Sequence, residues 1–186
     1  ILSHEPALFV TDADGMPAFE EVEFYLDDMQ RYQPIEGSAP VYSGTINFSK
    51  YEETYQWLEN PVAFSSGLTL LGWRTRYQSE RFRVSTVYRI DFIPEDHLIN
   101  QFTHLRTEET SDPSSQPLLF GDIPFALENW RVGDILIGIS DYSLPAEMSD
   151  TIILDVGHYR FDTGIRFARI DGDGDFFRVD AISSNR

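Results

Sequence analysis

Trp130-Arg-Val-Gly-Asp134 runs straight into Ile135-Leu-Ile-Gly138. An aromatic anchor meets a Gly-Asp turn, and an apolar strand leaves it. Further on, Ile152-Ile-Leu-Asp-Val-Gly-His-Tyr159 reads as a second strand. The turn Arg160-Phe-Asp-Thr-Gly164 follows, and Ile165-Arg-Phe-Ala-Arg-Ile170 returns as a third. Strand, turn, strand, turn, strand decides the fold class, but it names no reaction.

The same pattern extends outward. Pro61–Phe64 and Leu68–Trp73 are strand-like and are joined by Ser65-Ser-Gly67. Over 81–92, Phe82, Val84, Thr86, Tyr88, Ile90 and Phe92 alternate onto one face. His97–Arg106 alternates likewise, with Leu98, Asn100, Phe102 and His104 together. A polar loop covers 107–116, and Phe176–Ile182 is the last strand. Short strands parted by Gly, Pro and Asp turns predict an antiparallel β-sandwich over residues 60–186, immunoglobulin-like or jelly-roll-like.

Residues 1–59 read differently, as a small strand–helix–strand segment that packs on the sandwich or links to it. Ala7–Val10 suits a short strand. Pro17 fits a first helical turn, and Phe19, Val22, Tyr25, Leu26 and Met29 follow at helical spacing, which predicts a helix over 17–32. Val41–Phe48 suits a strand, and Ser49–Glu59 a short helix or irregular stretch.

Composition narrows the function. A chain of 186 residues can bury one good core. Its net charge of -17 argues against nucleic acid and anionic lipid, which need clustered Lys and Arg. The acidity reads either as a surface kept soluble by self-repulsion or as adaptation to high salt. Thirteen Arg accompany a single Lys, Lys50. No apolar run approaches the length of a membrane span, so no direct membrane insertion is expected. The start at Ile1, without Met or a signal-peptide pattern, reads as a mature or excised fragment. The absence of cysteine excludes disulfides, thiolate metal sites and a Cys nucleophile.

The candidate sites are few. Asp171-Gly-Asp-Gly-Asp175 places Asp171, Asp173 and Asp175 on a Gly-rich loop that could wrap a calcium ion. The EF-hand pattern fails, because Phe176 and Ile182 stand where its Gly and Glu belong. Asp-Gly is equally a hairpin-turn signal. His4, His97, His104 and His158 have no metal-ligand spacing and read as structural. The adjacent acids Asp27-Asp28, Glu52-Glu53 and Glu108-Glu109 read as solvated faces, and no catalytic residue is nominated. Trp73 and Trp130 suit the core, whereas Trp57 is the tryptophan expected to be partly exposed and to stack on a sugar.

The order of features resembles a known family. Val62-Ala-Phe-Ser-Ser-Gly-Leu-Thr-Leu-Leu-Gly-Trp73 opens the unit, followed by Val87-Tyr88, Phe102-Thr-His-Leu105, Gln116-Pro117, Gly121-Asp-Ile-Pro124 and the Trp130 turn. Val156-Gly-His-Tyr-Arg-Phe-Asp-Thr-Gly164, Arg166 and Asp171-Gly-Asp-Gly174 close it. Over residues 60–182 this resembles the soluble C-terminal β-sandwich domain of bacterial membrane glycosyltransferases of the protein mannosyltransferase type. Val132 departs from that family's usual Pro and His158 from its usual Leu. The resemblance implies a non-catalytic, extracytoplasmic accessory domain, tethered through a membrane domain, with a structural or glycan-contacting role. Its expected partners are glycan or the membrane-embedded part of the same parent protein. The alternative is a free-standing secreted carbohydrate-binding or adhesion module, calcium-assisted through the Asp171–Asp175 loop.

Overall fold

A computed structural model of the chain describes residues 55–78, 81–94, 99–125, 130–145 and 151–183, together with three strands nearer the N-terminus. Those three are β1 (Ala7–Val10), β2 (Leu26–Tyr32) and β3 (Val41–Ile46). The rest are β4 (Gln56–Ala63), β5 (Leu68–Gln78), β6 (Arg81–Ile90), β7 (Ile99–Arg106), β8 (Leu119–Phe125), β9 (Ile135–Tyr142), β10 (Thr151–Arg160) and β11 (Phe176–Ser183). The described residues contain no α-helix, only one 3-10 turn at Glu108–Thr110.

Two four-stranded antiparallel sheets face each other, in the orders β4-β5-β6-β9 and β11-β10-β7-β8. Alternation sends Leu70, Val84, Tyr88 and Ile90 inward from the first sheet. Ile99, Leu105, Leu154 and Val156 meet them from the second. Each such side chain removed from water contributes about 1.5–3 kcal/mol. Trp73 and Trp130 lie buried in the same cluster.

Hydrogen bonds cross between the layers and set how they sit on each other. Thr86 donates to Gln101 Oε1 at 2.6 Å, and Thr103 to Ser140 Oγ at 2.7 Å. The Tyr142 hydroxyl donates to the Thr103 carbonyl at 2.5 Å. These bonds need close backbone approach. A Cβ on Gly138 would come within 2.4 Å of Gln101 Oε1 and 2.8 Å of Thr86 Oγ1, so a side chain there would have to displace this tie.

The N-terminal strands form a separate three-stranded sheet, β1-β3-β2. Strands at 7–10 and 41–46 agree with the reading of the sequence. The expected helix over 17–32 is corrected in its last part, because Leu26–Tyr32 pairs with β3 from Leu26↔Ile46 to Tyr32↔Val41. A bulge between Asp27 and Gln30 is the reason the sequence misleads. It breaks the two-residue alternation, so apolar residues three apart, such as Leu26 and Met29, fit a bulged strand as well as a helix. Residues 11–25 lie outside the described residues. The expected irregular stretch to Glu59 is also corrected, since β4 already begins at Gln56. Pro61 falls where β4 loses register with β5, at the sheet edge that tolerates a missing N–H.

His158 sits fully buried among these layers, its ring 4.9 Å from both Phe64 and Tyr88. Its Nδ1 lies 3.2 Å from Ser66 Oγ. Burial pushes its pKa down to about 3. The unfolded chain regains the ordinary value of about 6.5 and so binds more protons between those limits. The stability tied to neutral His158 is therefore complete above pH 6.5 and is lost as pH falls toward 3, at roughly 1.4 kcal/mol per pH unit. His158→Phe, which cannot titrate, should lose less stability than the parent between pH 7 and pH 4.5. Urea unfolding at the two pH values measures the difference.

Candidate functional site

β7 is buried along its whole length, on both faces. Ile99, Gln101, Thr103 and Leu105 point into the sandwich. Asn100, Phe102, His104 and Arg106 therefore point outward, where a sheet face ordinarily meets water. Across from them stand Phe120, Asp122 and Pro124 of β8 and Asp155, Gly157 and Tyr159 of β10. This outer face is covered at one end and open at the other.

The covered end is organised by Asp155, which is 2% exposed. Arg106 Nε donates to its Oδ2 at 2.7 Å, and Arg178 donates to both oxygens at 2.7 and 2.9 Å. Arg106 Nη1 then faces the carbonyls of Thr110, Asp112 and Ser115 at 2.8–3.2 Å. Arg178 Nη1 reaches the Ser111 carbonyl at 2.8 Å. The two guanidinium groups thus fold the 107–116 loop over the sheet. Glu108 and Glu109 stay exposed on its 3-10 turn, as solvated acids.

The open end is built on a stack. A Cβ on Gly157 would come within 2.5 Å of the Phe102 ring and 2.6 Å of the Asp175 carbonyl, so glycine lets both lie against β10. Arg166 places its guanidinium 4.5 Å from the Phe102 ring centre and 3.5 Å from Asp175 Oδ1. Beside the stack, Asn100 Nδ2 donates to the Tyr159 hydroxyl at 2.9 Å. That hydroxyl donates to Asp122 Oδ2 at 3.4 Å. Asp122 Oδ1 lies 3.6 Å from His104 Nε2. The carboxylate is oriented by this chain yet stays 40% exposed. Phe120, two residues away on the same face, is 51% exposed, with its ring edge-on to His104 at 5.0 Å.

Protonation states follow from burial. Desolvation lowers the pKa of His104, Asp122 opposes the shift, and Arg166 and Arg106 reinforce it. His104 is therefore neutral at pH 7, and its contact with Asp122 is not an ion pair. Desolvation raises the pKa of Tyr159, partly offset by the Asn100 bond, so its hydroxyl stays a donor.

The residues singled out in the sequence are not brought together. Trp57 is half-buried on the outer side of the other sheet, over Gly72 and 5.8 Å from the Tyr55 ring. Asp171, Asp173 and Asp175 lie on the β10–β11 turn. Arg169 approaches Asp171 at 3.6 Å, and Arg166 holds Asp175. Among the described residues, no group of three or more His, Cys, Asp or Glu is placed to hold a metal ion. His4 and His97 lie outside the described residues. The alternation Asn100-x-Phe102-x-His104 was legible and names the right face. Phe120, Asp122, Tyr159 and Arg166 come from other strands and the turn, and only the strand order joins them.

Removing Asp155 leaves two guanidinium groups facing each other in a dry site. Asp155→Asn is expected to destabilise the fold by about 3–5 kcal/mol, the cost of breaking one side of a buried ion pair. Arg178→Ala, at the more exposed partner, is expected to cost less. Urea denaturation at pH 7 checks the order, and limited proteolysis should cut the Asp155→Asn variant within 107–116.

Among the described residues no helix is long and apolar enough to cross a membrane. No family model, curated protein or solved structure matches the chain.

Proposed function

We propose that this chain is a non-catalytic accessory module that contacts glycan through the open end of the β8–β7–β10 face. One observation carries the reading: an exposed aromatic ring, Phe120, stands beside a carboxylate held in place by Tyr159 and Asn100. A sugar offers an apolar C–H face that packs on such a ring and hydroxyls that bond to planar polar groups. Asp122 accepts from hydroxyls, and Arg166 donates to ring or carboxylate oxygens. The site is pre-organised, which limits the entropy lost on binding.

Binding suits this geometry better than hydrolysis. Glycoside cleavage takes two carboxyl groups about 5–9.5 Å apart across the substrate. The Asn100–Tyr159–Asp122–His104 chain has one carboxylate, and nearby Asp175 is engaged by Arg166. An extracytoplasmic place beside a membrane glycosyltransferase fits a glycan contact and follows the resemblance in residues 60–182. A contact with the parent protein has its own supporting observation. Phe92, Val132, Phe161, Ile165 and Ile170, each 45–65% exposed, sit on connections at one end of the sandwich.

The test is a thermal-shift screen against oligosaccharides, each with calcium and with chelator. A ligand of the folded state must raise the melting temperature. A shift with one glycan is expected, and Phe120→Ala and Asp122→Asn should abolish it while leaving the unliganded melting temperature within a degree or two. Silence across the panel, or a shift that survives both substitutions, would overturn the glycan reading. The apolar loop end would then be the contact surface to pursue.

A further inference from the structure

The carboxylates of the outer β8–β7–β10 face are not equivalent. Asp155 is saturated by Arg106 and Arg178 beneath the 107–116 loop. The surplus positive charge of that cluster faces loop carbonyls. Asp175 has Arg166 at 3.5 Å. Asp122 has no arginine or lysine partner among the described residues. Its contacts are the Tyr159 hydroxyl at 3.4 Å and His104 Nε2 at 3.6 Å. Both groups are neutral at pH 7, so they fix the direction of the carboxylate without cancelling its charge.

A metal ion matches this charge poorly. Calcium takes about six to eight oxygen ligands. Among the described residues no group of three or more His, Cys, Asp or Glu stands ready to supply them. An organic cation matches it better, because Phe120 stands two residues along the same strand. Its ring is 51% exposed, and its one ring contact among the described residues is with His104. Alternate residues of a strand stand about 6.6 Å apart. A cation about 3 Å from the Asp122 oxygens therefore also reaches the Phe120 ring within the roughly 6 Å of a cation–π contact.

We propose that the sugar taken by this face carries a free amine, and that its ammonium group sits between the Asp122 carboxylate and the Phe120 ring. The inference rests on the glycan reading above and adds the substrate class, a hexosamine whose nitrogen is not acetylated. An acetylated nitrogen is an amide and carries no charge. A hydroxyl in the same place can donate to Asp122 but offers the ring no cation. Asp122 is thus the specificity-determining residue, and Asn100 and Tyr159 position it. A sugar bearing a carboxylate meets Asp122 as a like charge, on a chain whose net charge is already -17.

Calorimetric titration tests this with tetramers of glucose, glucosamine and N-acetylglucosamine, alike in linkage, at a pH that keeps the amine protonated. The glucosamine tetramer is expected to bind roughly tenfold more tightly than the other two, the combined effect of an exposed ion contact and a ring contact. Asp122→Asn keeps the shape of the side chain and removes its charge. It should leave the glucosamine tetramer no better than the others. Equal binding of the three tetramers by the parent chain would overturn the inference and leave the glycan reading standing. A preference for glucosamine that persists in Asp122→Asn would also overturn it, by assigning the preference to the net charge of the whole chain. So would no binding of any tetramer, and the glycan reading then falls only if the wider oligosaccharide panel is silent as well.

Discussion

Asp155 is a carboxylate taken almost completely out of water and held by two guanidinium groups, and much of the second sheet is arranged around that fact. Desolvating an ion costs several kcal/mol, so the arrangement survives only if every lone pair and donor finds a partner. Here they do. Arg106 and Arg178 saturate the carboxylate, and their remaining N–H groups bond to the backbone of the 107–116 loop. A loop rich in charge and serine is thereby ordered over a sheet face without a helix or an apolar plug. The clamp also ties β7, β10 and β11 together by side chains, in addition to their ladder bonds.

The consequence is a central strand with two dry sides. The inner side of β7 joins the common core and carries the polar cross-ties through Gln101 and Thr103. On its outer side Arg106 brings a loop over one end, while at the open end Arg166 lies on the Phe102 ring and Tyr159 bonds Asn100. Such doubly buried polar strands are costly if any member is left unmatched. Their reward is geometric definition. Asp122 and Phe120 sit on an edge strand, yet they are aimed by residues locked two strands deep. That is how a binding surface gains precision without a deep pocket.

The two outer faces solve the same problem differently. Beyond β7, polar side chains knit a cover out of a loop, a turn and two arginines. Beyond β6, Val87 is buried among Tyr55, Trp57, Leu71, Ile135 and Ile137, beside arginines at alternate positions of β5 and β6.

The sequence by itself determined the all-β character and most strand positions, because alternation and turn chemistry are local. Ile152–Tyr159 and Leu68–Trp73 lie where they were read, and so does the alternating 81–92 stretch as far as Ile90, after which Phe92 is exposed on a loop. Trp73 and Trp130 are buried as their size and setting suggest. The sequence misread Leu26–Tyr32, where a bulge imitates helical spacing, and Ile165–Ile170, which forms no strand and pairs only through isolated bridges at Arg166 and Arg169. It also drew attention to Asp171, Asp173 and Asp175, whose spacing describes a turn as well as a ligand set. Only the tertiary structure decided the site, because Asn100, Asp122, Tyr159 and Arg166 come from separate elements and no local pattern links them. It likewise decided that His158, Asp155 and Arg106 are buried, since burial depends on which strands become neighbours, and that depends on the whole chain at once.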